Sequence, residues 1–131
     1  MIEPRVADDI GKYAEEHYPH ECCGVLVGSS GRISRFNPAR NTVTDRARDR
    51  YDLHPGDLLA AEKQADRDGL EILGFFHSHP DHPAVPSELD LSRAWEGYSY
   101  LIAEVRERRC VSVRAWRLRS GSFEEIPLEK G

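Results

Sequence analysis

The sequence predicts a single α/β domain in which one mixed β-sheet is flanked by about three helices. Three observations carry this. The chain has 131 residues, enough for one domain that buries roughly two-thirds of its unfolded surface. Two stretches show helical spacing of apolar residues, near the start and after Pro55. Between and after them lie short apolar runs bounded by Gly, Ser and Asn, which is how strands and their turns read.

Taken in order, residues 4–17 form the first expected helix. Val6, Ile10, Tyr13, Ala14 and His17 share one side, with Asp8, Asp9, Glu15 and Glu16 on the other. Pro4 suits a first turn, and Tyr18-Pro19 ends the helix because a residue before proline avoids helical geometry. Cys22 to Val27 reads as a buried strand. Ser29-Ser30-Gly31 turns it into a hairpin partner from Arg32 to Phe36, closed by residues 37–41. Residues 42–50 are polar and read as an irregular loop or an edge strand, and Tyr51-Asp52-Leu53 as a short strand. Pro55 opens a second helix to about Asp68 with Leu58, Ala61 and Ala65 in one stripe, and Gly69 stops it.

Glu71-Ile72-Leu73-Gly74-Phe75-Phe76 is nearly continuous in apolar character, the pattern of a central strand covered on both faces. It delivers His77. A bend with Pro80, Pro83 and Pro86 follows, then a helix from about Ser87 to Ala94, broken by Gly97. Tyr98 to Val105, Cys110 to Leu118 and Phe123 to Pro127 complete the strands, with turns at 107–109 and 120–121. The whole of 1–131 is expected to be one domain, with 128–131 frayed.

Composition narrows the function classes. Lys and Arg total 18 against 23 Asp and Glu, a formal net charge of −5. A general nucleic-acid or anionic-membrane binder needs the opposite balance, so neither is expected as a partner. Arg46, Arg48 and Arg50, and the group Arg106, Arg108 and Arg109, read as solvated charges. The three cysteines, Cys22, Cys23 and Cys110, have no framework spacing and no CxxC. The N-terminus lacks an apolar signal core, and no run reaches the length of a membrane span, so a cytoplasmic location is expected.

The chemistry gathers in residues 77–90. In extended chain, His77 and His79 point the same way. Asp90 adds a carboxylate, and two imidazoles with one carboxylate match the three protein ligands of a catalytic zinc. Ser87-Glu88-Leu89-Asp90 reads equally as a helix capping box, with Ser87 at the N-cap. Glu21 precedes a buried strand and reads by itself as a solvated strand end, although a zinc hydrolase needs a base of its kind. His82 is expected to be exposed, and His54 to precede a helix. Ser78 is expected in a turn, with support of a zinc ligand as a second role. Cys22 and Cys23 read as core thiols, and Trp95, Trp116, Phe75 and Phe76 as packing residues.

Glu21, then His77-Ser78-His79-Pro80, then seven residues from Pro80 to Pro86 and Ser87-x-x-Asp90, resembles the JAMM motif of the MPN+ (Mov34/PAD-1) metallopeptidase family, in its compact prokaryotic form. Tyr18-Pro19-His20-Glu21-Cys22-Cys23-Gly24 adds to the likeness, which covers about residues 4–118. The resemblance implies the MPN/JAB, cytidine-deaminase-like fold. It implies one Zn²⁺ per chain held by His77, His79 and Asp90. Glu21 would deprotonate the attacking water and Ser87 would donate to the oxyanion. The implied activity is hydrolysis of a peptide or isopeptide bond after the glycine tail of a ubiquitin-like or sulfur-carrier protein. The alternative is a non-catalytic MPN scaffold that only binds partners, of the kind that has lost zinc ligands. Oligomeric state is not legible.

Overall fold

The structure is a computed structural model describing residues 1–43 and 51–128. It is an α/β fold with one mixed six-stranded sheet and three helices. Helix α1 (Pro4–His17) is followed by the hairpin β1 (Cys23–Ser29) and β2 (Arg32–Ala39). Helix α2 (Pro55–Arg67) leads into β3 (Glu71–Pro80), and α3 (Glu88–Arg93) into β4 (Ser99–Arg106). Strands β5 (Arg109–Arg119) and β6 (Ser122–Ile126) end the fold. No helix among the described residues is long and apolar enough to cross a membrane.

The sheet order is β2-β1-β3-β4-β5-β6. Every neighbouring pair is antiparallel except β3 with β4. Parallel neighbours need a crossover, and the segment carrying α3 supplies it. Strand β3 is therefore central, as its apolar run predicts.

Alternation along β1 explains the two-sided core. Leu26 faces a cluster with α1 that holds Ile2, Val6, Ile10, Phe76 and Leu101. Val25 and Val27 face the other way, onto Ala61 and Ala65 of α2. Gly24 has no room for a side chain: a Cβ there would collide with the Phe76 ring and with the Asn37 carbonyl. Closely apposed backbone here keeps the start of β1 tight against both neighbours.

Several expectations need correction. Strand β2 continues through Pro38 to Ala39; proline, which has no N–H to give, is tolerated because β2 is an edge strand. Strand β3 runs to Pro80, since β4 pairs with it in parallel as far as Val105, so His77 and His79 lie within the strand and not beyond it. Ser78 is accordingly a strand residue and not a turn residue. Residues 51–53 make a single bridge, Asn41 to Leu53, in place of a strand. Trp95 is 62% exposed and does not pack in the core. Residues 44–50 and 129–131, with the expectations placed on them, lie outside the described residues.

Candidate metal centre

Because β3 is extended, His77 and His79 project from the same face. Both are buried. Their Nε2 atoms stand 3.1 Å apart. Asp90 Oδ2 lies 3.3 Å from Nε2 of His77 and 3.2 Å from Nε2 of His79. Three donor atoms thus converge on one point from two elements.

Cap and carboxylate form one device. Ser87 is the N-cap of α3: its Oγ accepts from the Asp90 N–H at 3.0 Å, and its own N–H donates to Asp90 Oδ2 at 2.9 Å. Oδ2, the oxygen fixed by the cap, is the one that faces the imidazoles. A serine hydroxyl that accepts one bond still has its O–H to donate.

Glu21 joins the group from just ahead of β1. Cys23 pairs with His77 in the antiparallel ladder, so the residue two positions earlier is carried toward His79. Glu21 is buried at 5% exposure, and its carboxylate and the two imidazoles have donor atoms all within 4.8 Å of one another. A buried glutamate at this place is not the solvated strand end that local sequence suggests.

The donor set fits a metal ion. His79 Nδ1 lies 2.7 Å from the Pro83 carbonyl, so Nδ1 carries the proton and Nε2 presents its lone pair to the centre. His77 Nδ1 has no hydrogen-bond partner among the described residues. Burial lowers the pKa of His77, overcoming the pull of Asp90, and keeps that imidazole neutral. Burial also acts downward on His79, but the Asp90 and Pro83 contacts win and raise it. Burial opposes ionisation of Asp90, yet both imidazoles hold its carboxyl far below the usual range.

Beside the centre opens a cleft of about 410 Å³, lined in part by Tyr51, His82, Val85, Leu89 and Arg93. The loop along it is pinned. Ala84 is held through its N–H by Glu104 and through its carbonyl by Trp116 Nε1. Asp81 accepts from the Tyr18 hydroxyl. Arg93 donates to the Tyr51 carbonyl at 2.7 Å and to Asp52.

Glu21, His77, His79, Ser87 and Asp90 are all brought to this one place. The structure also adds residues. The Tyr51 ring stacks on His77 at 4.5 Å between centroids, 21° from parallel. Burial, then the charge of Asp90, raises its pKa and keeps the phenol protonated. Nothing around Tyr51 in sequence announces this. His82 is half-buried and 5.0 Å from the His79 ring, in the cleft wall and not free in solvent as expected; its place among prolines is a weak sequence signal. His54 caps α2 through Nδ1, as its position implies. Cys22 and Cys23 are buried, with burial lifting their thiols to about 11 and about 12, so neither is a nucleophile at neutral pH.

A family profile described as prokaryotic homologs of the JAB domain matches residues 3–119. The chain is 38% identical over 87 residues to the desampylase of Haloferax volcanii, covering 64% of this chain and 62% of that protein. It is 36% identical over 84 residues to the probable TtuB-protein conjugate cleaving protease of Thermus thermophilus, covering 64% and 55%. Each of these two matches spans less than two thirds of the relative's length. A solution structure of a protein from Salinibacter ruber superposes with a TM-score of 0.76 at 33% identity, over 99% of this chain and 90% of that one. This chain belongs to the family of prokaryotic JAB-domain homologs.

Proposed function

We propose that the protein is a zinc-dependent metallopeptidase. It hydrolyses the peptide or isopeptide bond that follows the C-terminal glycine tail of a ubiquitin-like or sulfur-carrier protein. The observation that carries this reading is the meeting of Glu21 with His77 and His79 across two strands. A buried carboxylate beside two buried imidazoles has a chemical use here that packing does not provide. The names of the two relatives support the substrate class.

His77, His79 and Asp90 would hold the ion. When bound, a zinc ion at such a site supplies Lewis acidity, lowering the pKa of a water and polarising a carbonyl. Glu21, buried and facing the two imidazoles, takes the proton from the attacking water and returns it to the departing amine. Ser87 turns its remaining O–H toward the oxyanion that develops on the substrate carbonyl, while its lone pair stays on the Asp90 N–H. Tyr51 covers the face of His77 and keeps solvent from it.

The test is direct. Purified protein is expected to bind about one zinc per chain by elemental analysis. Incubated with small ubiquitin-like carriers bearing C-terminal extensions, it is expected to remove the extension after the glycine pair, read by intact mass, and to stop when a chelator is added. Carriers left intact by the zinc-loaded protein would refute the peptidase reading.

A further inference from the structure

Glu21 stands just ahead of β1, where the regular ladder begins at Cys23. The peptide unit that follows it, between Glu21 and Cys22, has both polar groups held by side chains. Its carbonyl accepts from Asn41 Nδ2 at 3.3 Å. Its N–H donates to Ser78 Oγ at 2.9 Å. Ser78 closes a second bond with its own N–H, donated to the Cys22 carbonyl at 3.1 Å.

The two side chains come from separate elements with separate duties. Ser78 is 1% exposed and sits between His77 and His79, so its hydroxyl ties the backbone after Glu21 to the strand that bears the imidazoles. Asn41 lies at the end of the hairpin. Its Oδ1 accepts from the N–H of Val43 and of Asp52, each at 3.0 Å. Asp52 follows Tyr51, whose ring stacks on His77. One amide side chain therefore joins the backbone of Glu21 to the segment that covers His77.

We infer that Asn41 and Ser78 are positioning residues that clamp this peptide plane from both sides and so aim the Glu21 carboxylate at the metal centre. They act through the backbone of Glu21. A peptide plane held at one end only can rotate, and the carboxylate at the end of the side chain swings with it. A displacement of about 1 Å can cost about 100-fold in rate when it moves a catalytic group. The inference rests on the proposed role of Glu21.

The experiment uses the zinc-loaded full chain and a ubiquitin-like carrier with a C-terminal extension. Asn41→Ala and Ser78→Ala are each expected to lower kcat roughly 10- to 100-fold, with KM and zinc content unchanged. Asn41→Asp keeps the acceptor for Val43 and Asp52 and loses the donor to Glu21, and it is expected to fall with the alanine variant. In a Glu21→Gln background neither alanine substitution should lower the remaining rate further. A second readout needs no turnover: in metal-free protein, the Cys22 amide should exchange its hydrogen faster in both alanine variants. Wild-type kcat in Asn41→Asp, an equal loss in the Glu21→Gln background, or unchanged Cys22 exchange would each overturn the clamp. A wild-type protein that cleaves no carrier refutes the peptidase reading instead, and hydrogen exchange then decides the clamp alone.

Discussion

The two halves of the candidate metal centre are built by different means. His77 and His79 stand on the central strand, with hydrogen-bonded neighbours on both sides and almost no exposure. Asp90 and its cap Ser87 belong to α3, a six-residue helix with no buried residue. The imidazoles owe their positions to the sheet. The carboxylate owes its position to a two-bond cap and to the imidazoles it faces. A helix this short is not stable alone, so the helical half leans on the strand half for its order.

The largest expected effect lies where neither half suffices. Glu21→Gln should reduce turnover about 10²- to 10⁴-fold, the usual worth of a general acid and base, while zinc content stays near one per chain. Equal turnover in steady-state assays would remove Glu21 from the chemistry.

Next comes the contrast within the capping box. Ser87→Ala should reduce kcat about 10²- to 10³-fold through loss of the oxyanion donor, with zinc affinity little changed. Asp90→Ala should weaken zinc binding by more than the roughly 10- to 100-fold typical of losing a group behind a ligand, in a competition titration. Each also removes a cap bond, at about 1 kcal/mol in melting experiments. If the two variants lose only that stability and nothing else, the box is a cap and no more.

Acid separates the two imidazoles. In metal-free protein His79 is raised above its ordinary value of about 6.5, and His77 is lowered. The raised His79 favours the folded state below that value, and this contribution is lost as pH rises through its folded pKa. The lowered His77 acts in the opposite sense, so the two partly cancel in stability. They do not cancel in metal binding. Ligation needs both imidazoles neutral, so the proton displaced near neutrality should come from His79. Calorimetry in buffers of different ionisation enthalpy should find up to about one proton released per zinc around pH 6.5, and less as pH rises.

The smallest effect concerns the thiols. With burial raising Cys22 to about 11 and Cys23 to about 12, alkylation of native protein at neutral pH should be slow at both, with half-buried Cys110 modified first. Peptide mapping after timed iodoacetamide treatment measures the order.

What sequence reveals follows from distance along the chain. His77, His79, Ser87 and Asp90 fall within one short stretch, where strand alternation and a cap motif are local signals. Helix ends are marked by Pro4, Pro19, Pro55 and Gly69 for equally local reasons. Glu21 is reached through the resemblance alone, because its approach depends on β1 pairing with β3, and a pairing so far apart in sequence leaves no local trace. Tyr51 and Asn41 escape for the same reason, whereas His82, three residues from His79, escapes because its ring contact depends on how the proline-rich loop turns back. Ser78 is misread as a turn residue because the length of β3 is set by its partner β4, and the prolines that follow suggest an earlier end.

The parallel pairing of β3 with β4 also ties the two halves of the site to one crossover. His77 and His79 both stand within β3, and after it the chain must cross back over to start β4, carrying Asp90 on the way. Until that crossover closes, the carboxylate has no fixed distance to the imidazoles. Strand pairing between distant segments is slow compared with helix formation. A metal ion held by all three groups would therefore draw on strand pairings as well as on the local cap, and its binding would be linked to the closed crossover.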